Sequence, residues 1–264
     1  MPDVPMTSTL TSETQPIVRR IGLPDLQAAV VNGWADFMET PTQLVFLCIL
    51  YPLIGIVAVY MAMGNNLLPL AFPLVAGFAL VGPVLAIGLY EISRRREAGL
   101  PTSWLNVFDV VRNPAIVSVA MLGVVLFALL AAWLGVARMI FTMTIGRGAP
   151  MEIGAFIAHV QASPNFWQLL VVGNLVGALF AVVVLTIAVV SFPLLMDRNV
   201  DPLVAVQTSI RAVRANPVTM LVWGVIVGTV LMLGSLPLFV GLAVAMPVLG
   251  HATWHLYRRV IAPQ

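Results

Sequence analysis

The chain has 264 residues, 60% hydrophobic and only 9% charged, with a mean hydropathy of +1.01; a soluble domain of that length needs far more charge to cover its surface, so most of the chain faces lipid or other helices. Its formal net charge of +2 rests on thirteen arginines and no lysine, grouped beside apolar runs, which orients a chain in a membrane and excludes a nucleic-acid surface. The single cysteine, Cys48, excludes an intrachain disulfide and a thiolate metal cluster.

Residues 1–24 are polar, with three prolines before Ile17, and are expected to be a disordered cytoplasmic segment. Arg19-Arg20 runs into Gly22, Pro24 and Asp25 rather than an apolar stretch, so no cleavable signal is expected. From Asp25, a candidate N-cap, the spacing Leu26, Val30, Gly33 or Trp34, Phe37 predicts an amphipathic helix lying along the membrane surface. Thr40-Pro41 restarts the chain, and a first span is expected over about 42–63. A second follows over 67–92, kinked by Pro73 and Pro83 and closed by Arg94-Arg95-Arg96. Ser103 to Arg112 again has helical spacing, with Trp104, Val107, Phe108 and Val111 on one side and Asn106, Asp109 and Arg112 on the other. Asn113-Pro114 opens a third span, about 115–137.

The long connection that follows carries Arg147, Glu152 and His159, and Ile153, Phe156, Ile157 and Val160 predict a short helix on the outer surface. A fourth span, about 166–196, is long enough to tilt. Asp201-Pro202 opens a third amphipathic helix with the stripe Leu203, Val206, Ile210, Val213, while Thr208, Arg211 and Arg214 lie elsewhere. Asn216-Pro217 opens the fifth span, 217–235, and the sixth covers 238–257. The expected architecture is therefore all-α: a single six-span membrane domain, 25–264, after the disordered 1–24 segment. One unit, amphipathic helix, Thr/Asn-Pro, span, turn, span, is read three times, from NGWADFMETP, NVFDVVRNP and TSIRAVRANP. An echo ties the units together: Pro83–Arg95 and Pro247–Arg259 both begin Pro-Val-Leu and carry an aromatic (Tyr90, Trp254) and two arginines at equal distances from the proline. Eleven arginines fall on the side of the termini and two, Arg138 and Arg147, on the other, so both termini are expected in the cytoplasm.

The amphipathic opening with Trp34, the run GPVLAIGLYEISRR, the stretch SFPLLMDRNVD with TSIRAVRANP, and the closing PVLGHATWHLYRR together resemble the bacterial integral membrane proteins grouped as domain of unknown function 2189. The resemblance covers roughly 17–260. It implies a bacterial inner-membrane location and carries no activity with it.

Chemistry has few candidates. His251 and His255, spaced i, i+4, share one helix face, as metal or haem ligands do. Glu91, which holds in the echo the place of His255, is the one same-side partner expected for them. Interfacial anchoring, with Trp254 at the headgroup level, accounts for the same histidines without a missing ligand. Glu91 is equally accounted for by an intrahelical ion pair with Arg94 or Arg95. Asn174, between Gly173 and Gly177, suits close helix packing with an interhelical hydrogen bond, or a place on a substrate path. The prolines Pro52, Pro73, Pro83, Pro193 and Pro247 suit either ordinary kinks or the broken helices of a transporter. Phosphate-cradling, zinc-protease and nucleophile-elbow motifs are absent, so no catalytic residue, metal site or cofactor is called for.

The leading expectation is a non-enzymatic membrane component that packs with itself or with another membrane protein. Arg94, Arg95, Arg96, Arg211, Arg214, Arg258 and Arg259 would meet anionic lipid headgroups. A carrier or channel for an apolar or amphipathic small molecule is the alternative, and a haem or metal redox accessory a weaker one.

Overall fold

A computed structural model describes residues 15–42, 68–150, 152–237 and 239–263. Within these the chain is helical, and the one strand-like feature is an isolated antiparallel bridge between Val18 and Ile261. The expected first span therefore lies, beyond Thr42, outside the described residues.

Helix α1 is Leu23–Glu39. Gly22 rather than Asp25 caps it; Asp25 sits in the first turn and reaches back to accept from the Gly22 N–H at 2.9 Å. Leu26, Ala29, Gly33, Asp36 and Phe37 form the buried face. That face rests on another helix, so the side expected to lie on lipid is internal. Trp34, placed on it by the spacing, is exposed.

Helix α2, Leu68–Glu97, spans 30 residues. Pro73 is accommodated inside its first segment, Leu68–Phe78. The interruption comes later: a 3-10 turn over Ala79–Val81, a restart at Gly82–Leu85 with Pro83 in its first turn, and a second restart at Ile87. Pro83 has no N–H to donate, so a new first turn is the place it fits. Gly99, at φ +67°, closes the end, with its N–H on Arg96 and the Leu100 N–H on Arg95, both at 2.9 Å.

The segment Trp104–Arg112 is a 3-10 helix of nine residues. Three residues per turn redistribute the faces expected of an α-helix: Val107 turns inward onto Gly88, where an added Cβ would lie 2.4 Å from Val107 Cγ1. Then come α3 (Ile116–Thr144), α4 (Ile153–Ala162), α5 (Phe166–Asp197, interrupted at Val189 and Val190), α6 (Pro202–Ala215), α7 (Pro217–Ser235) and α8 (Leu242–Val260). The Glu152 carboxylate caps α4 on the Gly154 and Ala155 N–H groups, and Phe156 stacks on Phe141 with centroids 5.8 Å apart.

Among the described residues four helices, α2, α3, α5 and α7, are long and apolar enough to cross a membrane, and their windows are only 22% to 33% buried. Their remaining apolar surface suits hydrocarbon. Trp133 joins three of them. Its indole N–H donates to the Pro73 carbonyl at 2.9 Å, Gly77 leaves it room, and its ring rests on Gly177 and Phe180.

Helix α8 is built differently, with fourteen of its nineteen residues buried. Two histidines and two arginines keep its composition below that of the four apolar helices. Helix α1 runs antiparallel along its second half: Arg259 meets Asp25 at 2.9 Å, and a Cβ on Gly33 would lie 2.5 Å from the Ala252 nitrogen. The 3-10 helix lies on the end of α2, and α6 lies on the end of α5. The buried face of α6 is Ala205, Thr208, Ser209 and Ala212, while Leu203 of the expected apolar stripe is exposed.

Residues 15–24, expected to be disordered, are instead held in place. Arg19 N–H donates to Val260 at 2.7 Å and Ala262 N–H to Ile17 at 3.0 Å. The Asn216 amide accepts from the Ile21 N–H at 2.8 Å and donates to Arg19 at 3.0 Å.

Candidate functional site

The densest buried polar group lies where α1, the end of α2 and α8 meet. Asp36, 4% exposed, sits on the inner face of α1. Its Oδ1 accepts from Arg96 at 2.6 Å. Its Oδ2 accepts from the Ser93 hydroxyl at 2.5 Å and contacts His255 Nε2 at 2.8 Å. Ser93 Oγ also contacts His251 Nδ1 at 2.8 Å. Glu39 joins from the outside through a second bond to Arg96.

Proton counting sets the pattern. A serine has one hydroxyl hydrogen, and an ionised carboxylate only accepts. Ser93 therefore donates to Asp36 and accepts from His251, which places the proton of His251 on Nδ1 and leaves Nε2 a bare lone pair. That Nε2 is buried without a hydrogen-bond partner among the described residues, in a side chain that is 0% exposed. Burial works against ionisation of Asp36, but hydrogen bonds from His255 and Ser93 and the field of both histidines outweigh it and hold its carboxyl below the ordinary 3.8. Asp36 is thus an anion shared by two other helices.

The expected histidine pair is brought together, but its acidic partner is Asp36 and not Glu91. Glu91 accepts both Arg94 contacts at 2.8 Å, the intrahelical pair. As a metal or haem site the donor set fits poorly. His255 Nε2 is taken by Asp36 and His251 Nδ1 by Ser93, and among the described residues no group of three or more His, Cys, Asp or Glu side chains is arranged to hold an ion.

A second cluster ties the ends of α2, α5 and α8. Arg258 donates to Glu97 at 2.9 Å and to Asp197 at 3.2 Å. The Tyr257 hydroxyl donates to Asp197 at 2.5 Å and the Trp254 indole to Glu97 at 3.2 Å.

The arginines expected to face lipid are thereby largely engaged within the protein: Arg94 by Glu91, Arg95 by Asp109, Arg96 by Asp36, Arg258 by Glu97 and Asp197, Arg259 by Asp25. Arg211 bonds to Gln15 and Thr208. Of the seven, only Arg214 is exposed with no bond among the described residues.

Asn174 departs from expectation. It is exposed, and its amide donates to the Leu170 carbonyl of its own helix at 2.7 Å. It shares a shallow surface patch with Trp167, Leu170, Val171 and Leu175, all on α5. Among the described residues nothing lies within 4 Å of a Cβ added at Gly173, whereas one at Gly177 would meet the Trp133 ring at 3.1 Å. Among the described residues, the interhelical bond expected of Asn174 is not formed.

The spacing of apolar residues alone does not single out Asp36, because a carboxylate on the same face breaks no apolar repeat. The signal is in the spacing, since Asp36 follows Gly33 by three residues and Ala29 by seven, on the face that carries both.

Comparison with known proteins bears on the class. Residues 71–197 match the family model described as predicted integral membrane protein (DUF2189). No curated protein and no solved structure gives a match.

Proposed function

From the premise that this is an integral membrane protein of the DUF2189 kind, we propose that it is a six-span component of a bacterial inner membrane with both termini in the cytoplasm, acting as a non-enzymatic accessory or self-associating subunit. The observation that carries the subunit reading is the contrast between surfaces. The four apolar helices leave two thirds or more of their windows unburied, while most charged side chains at the arginine-rich end are bonded to one another. Such a molecule offers apolar helix faces to a second copy or another membrane protein.

Three features support the six-span, three-unit reading. The bridge between Val18 and Ile261 holds the two terminal segments side by side, as expected of a chain with an even number of crossings. Thr40 lies by Thr102 at 3.4 Å, at the arginine-rich end of α2, whereas Leu68 starts the other end. Each amphipathic opener packs on the preceding unit's end, the 3-10 helix on α2, α6 on α5 and, closing the circle, α1 on α8.

Purification in mild detergent from native membranes, followed by native mass spectrometry, tests the subunit reading. A second copy or one protein in fixed stoichiometry is the expected result. A monomer retaining only lipid overturns it.

One observation favours a second reading, a carrier that handles protons. A bare imidazole nitrogen inside a helix of the membrane domain, wired through Ser93 to Asp36, has the make-up of an intramembrane proton relay. Proton uptake coupled to solute entry in proteoliposomes, lost in His251→Phe, is its expected signature; equal uptake by both proteins rules it out.

A further inference from the structure

Between the end of α2 and the start of α3 the surface holds an open cleft of about 510 Å³, lined by Glu91, Arg94, Arg95, Asp109 and Arg112 among others. Its three arginines are not equally occupied. Arg94 is committed to Glu91 by two bonds of 2.8 Å. Arg95 has only long contacts, 3.4 Å to the Pro101 carbonyl and 3.4 Å to Asp109. Arg112 is exposed and has no bond among the described residues. Arg112 thus faces the opening with its donors unbonded among the described residues and Arg95 with long contacts alone, an arrangement that suits a phosphate oxygen cluster.

The wall of the cleft supplies the second half of the argument. With three residues per turn, a 3-10 helix has three stripes, and here each has one chemistry. Val107 and Val110 face inward. Asn106, Asp109 and Arg112 form the polar stripe, joined by an Asn106–Asp109 bond of 2.6 Å. Leu105, Phe108 and Val111 stand outward, 55%, 57% and 68% exposed. An apolar ridge beside one loosely held guanidinium group and one with no bond among the described residues is unfavourable in water and suited to the boundary between headgroups and acyl chains. The position agrees, because the helix links the last turn of one apolar helix to the first of the next.

We propose that this cleft is a phospholipid site, in which Arg95 and Arg112 grip the phosphate diester and the acyl chains lie against the Leu105, Phe108 and Val111 ridge. The proposal rests on the reading that this end of the bundle lies at a headgroup layer, and not on the oligomeric state, so it stands or falls separately from the subunit reading.

The test uses the full chain in nanodiscs of phosphatidylethanolamine and phosphatidylglycerol, released into native mass spectrometry. One phospholipid per chain is expected to survive activation that strips the others. Arg112→Gln, which breaks no bond within the described protein, is expected to reduce that retained species about tenfold. Arg214→Gln, on α6, is expected to leave it unchanged. Equal retention by Arg112→Gln and the parent, or displacement of the lipid by soluble glycerol 3-phosphate, overturns the proposal. A spin label at Phe108→Cys in a Cys48→Ser background reads the ridge independently. Access to oxygen with shielding from a nickel chelate is expected, and water-like exposure to both overturns it.

Discussion

Asp36 accepts from Ser93, Arg96 and His255, side chains of two other helices, so removing its charge strands several donors at once. Asp36→Asn is therefore expected to destabilise the protein by about 3 kcal/mol, well beyond the loss of a surface pair, read as a fall in the thermal midpoint in detergent. The pH dependence follows from the direction of its shift. The folded carboxyl titrates below its ordinary 3.8, so the folded state binds the proton less readily than the unfolded chain. The stabilisation is complete above about pH 5 and fades as pH falls through 3.8 towards the folded value. The difference in midpoint between the parent and Asp36→Asn should narrow below about pH 4; a constant gap from pH 3 to 7 would refute an ionised Asp36. At this scale the sequence pointed to the histidines but not to their partner. Glu91 was the nearer acid along the α2 echo, and only the approach of α1 brings Asp36 to them.

Among elements, close approach is the organising device. Gly33 on Ala252 joins α1 to α8, Gly88 on Val107 joins α2 to the 3-10 helix, and Gly250 on Leu89 joins α8 to α2, each at a distance that a Cβ would violate. Gly33→Val is expected to lower stability by about 2 kcal/mol or more and to expose α1 to protease, because both backbones at the contact are helical and neither yields. Gly228→Ala on α7, where an added Cβ meets none of the described residues within 4 Å, should instead be neutral or stabilising by up to about 1 kcal/mol. If the two substitutions behaved alike, the α1–α8 packing would be wrong. Small-residue packing also explains the rotation of α6. Spacing of large apolar side chains chose the stripe with Leu203, but Ala205, Ser209 and Ala212 permit the closer contact with α5, and Ser209 accepts the Val190 N–H at 3.2 Å where that helix is interrupted.

For the whole molecule, the ends of the chain close the structure on one side. At Val18 and Ile261 the flanking bonds, Arg19 N–H to Val260 and Ala262 N–H to Ile17, mark a non-hydrogen-bonded pair, with Cα atoms about 4.5 Å apart. A disulfide tolerates that separation. Val18→Cys with Ile261→Cys, in a Cys48→Ser background, is expected to cross-link on mild oxidation of the purified protein and to raise its thermal midpoint. Failure to cross-link in folded protein would remove the terminal pairing and, with it, the parity argument for an even number of spans.

The sequence by itself determined the class, the positions of four apolar helices and the end at which the arginines gather. Those properties are local: composition and the length of apolar runs decide whether a segment prefers hydrocarbon, whatever its neighbours are. Tertiary structure decided which faces turn inward, that residues 15–24 are tethered, and that Asp36 rather than Glu91 serves the histidines. These depend on segments far apart in the chain, Asp36 and His255 being 219 positions distant. Whether a polar side chain is buried or a small residue becomes a contact is set by what packs against it, and periodicity within one helix carries no record of that.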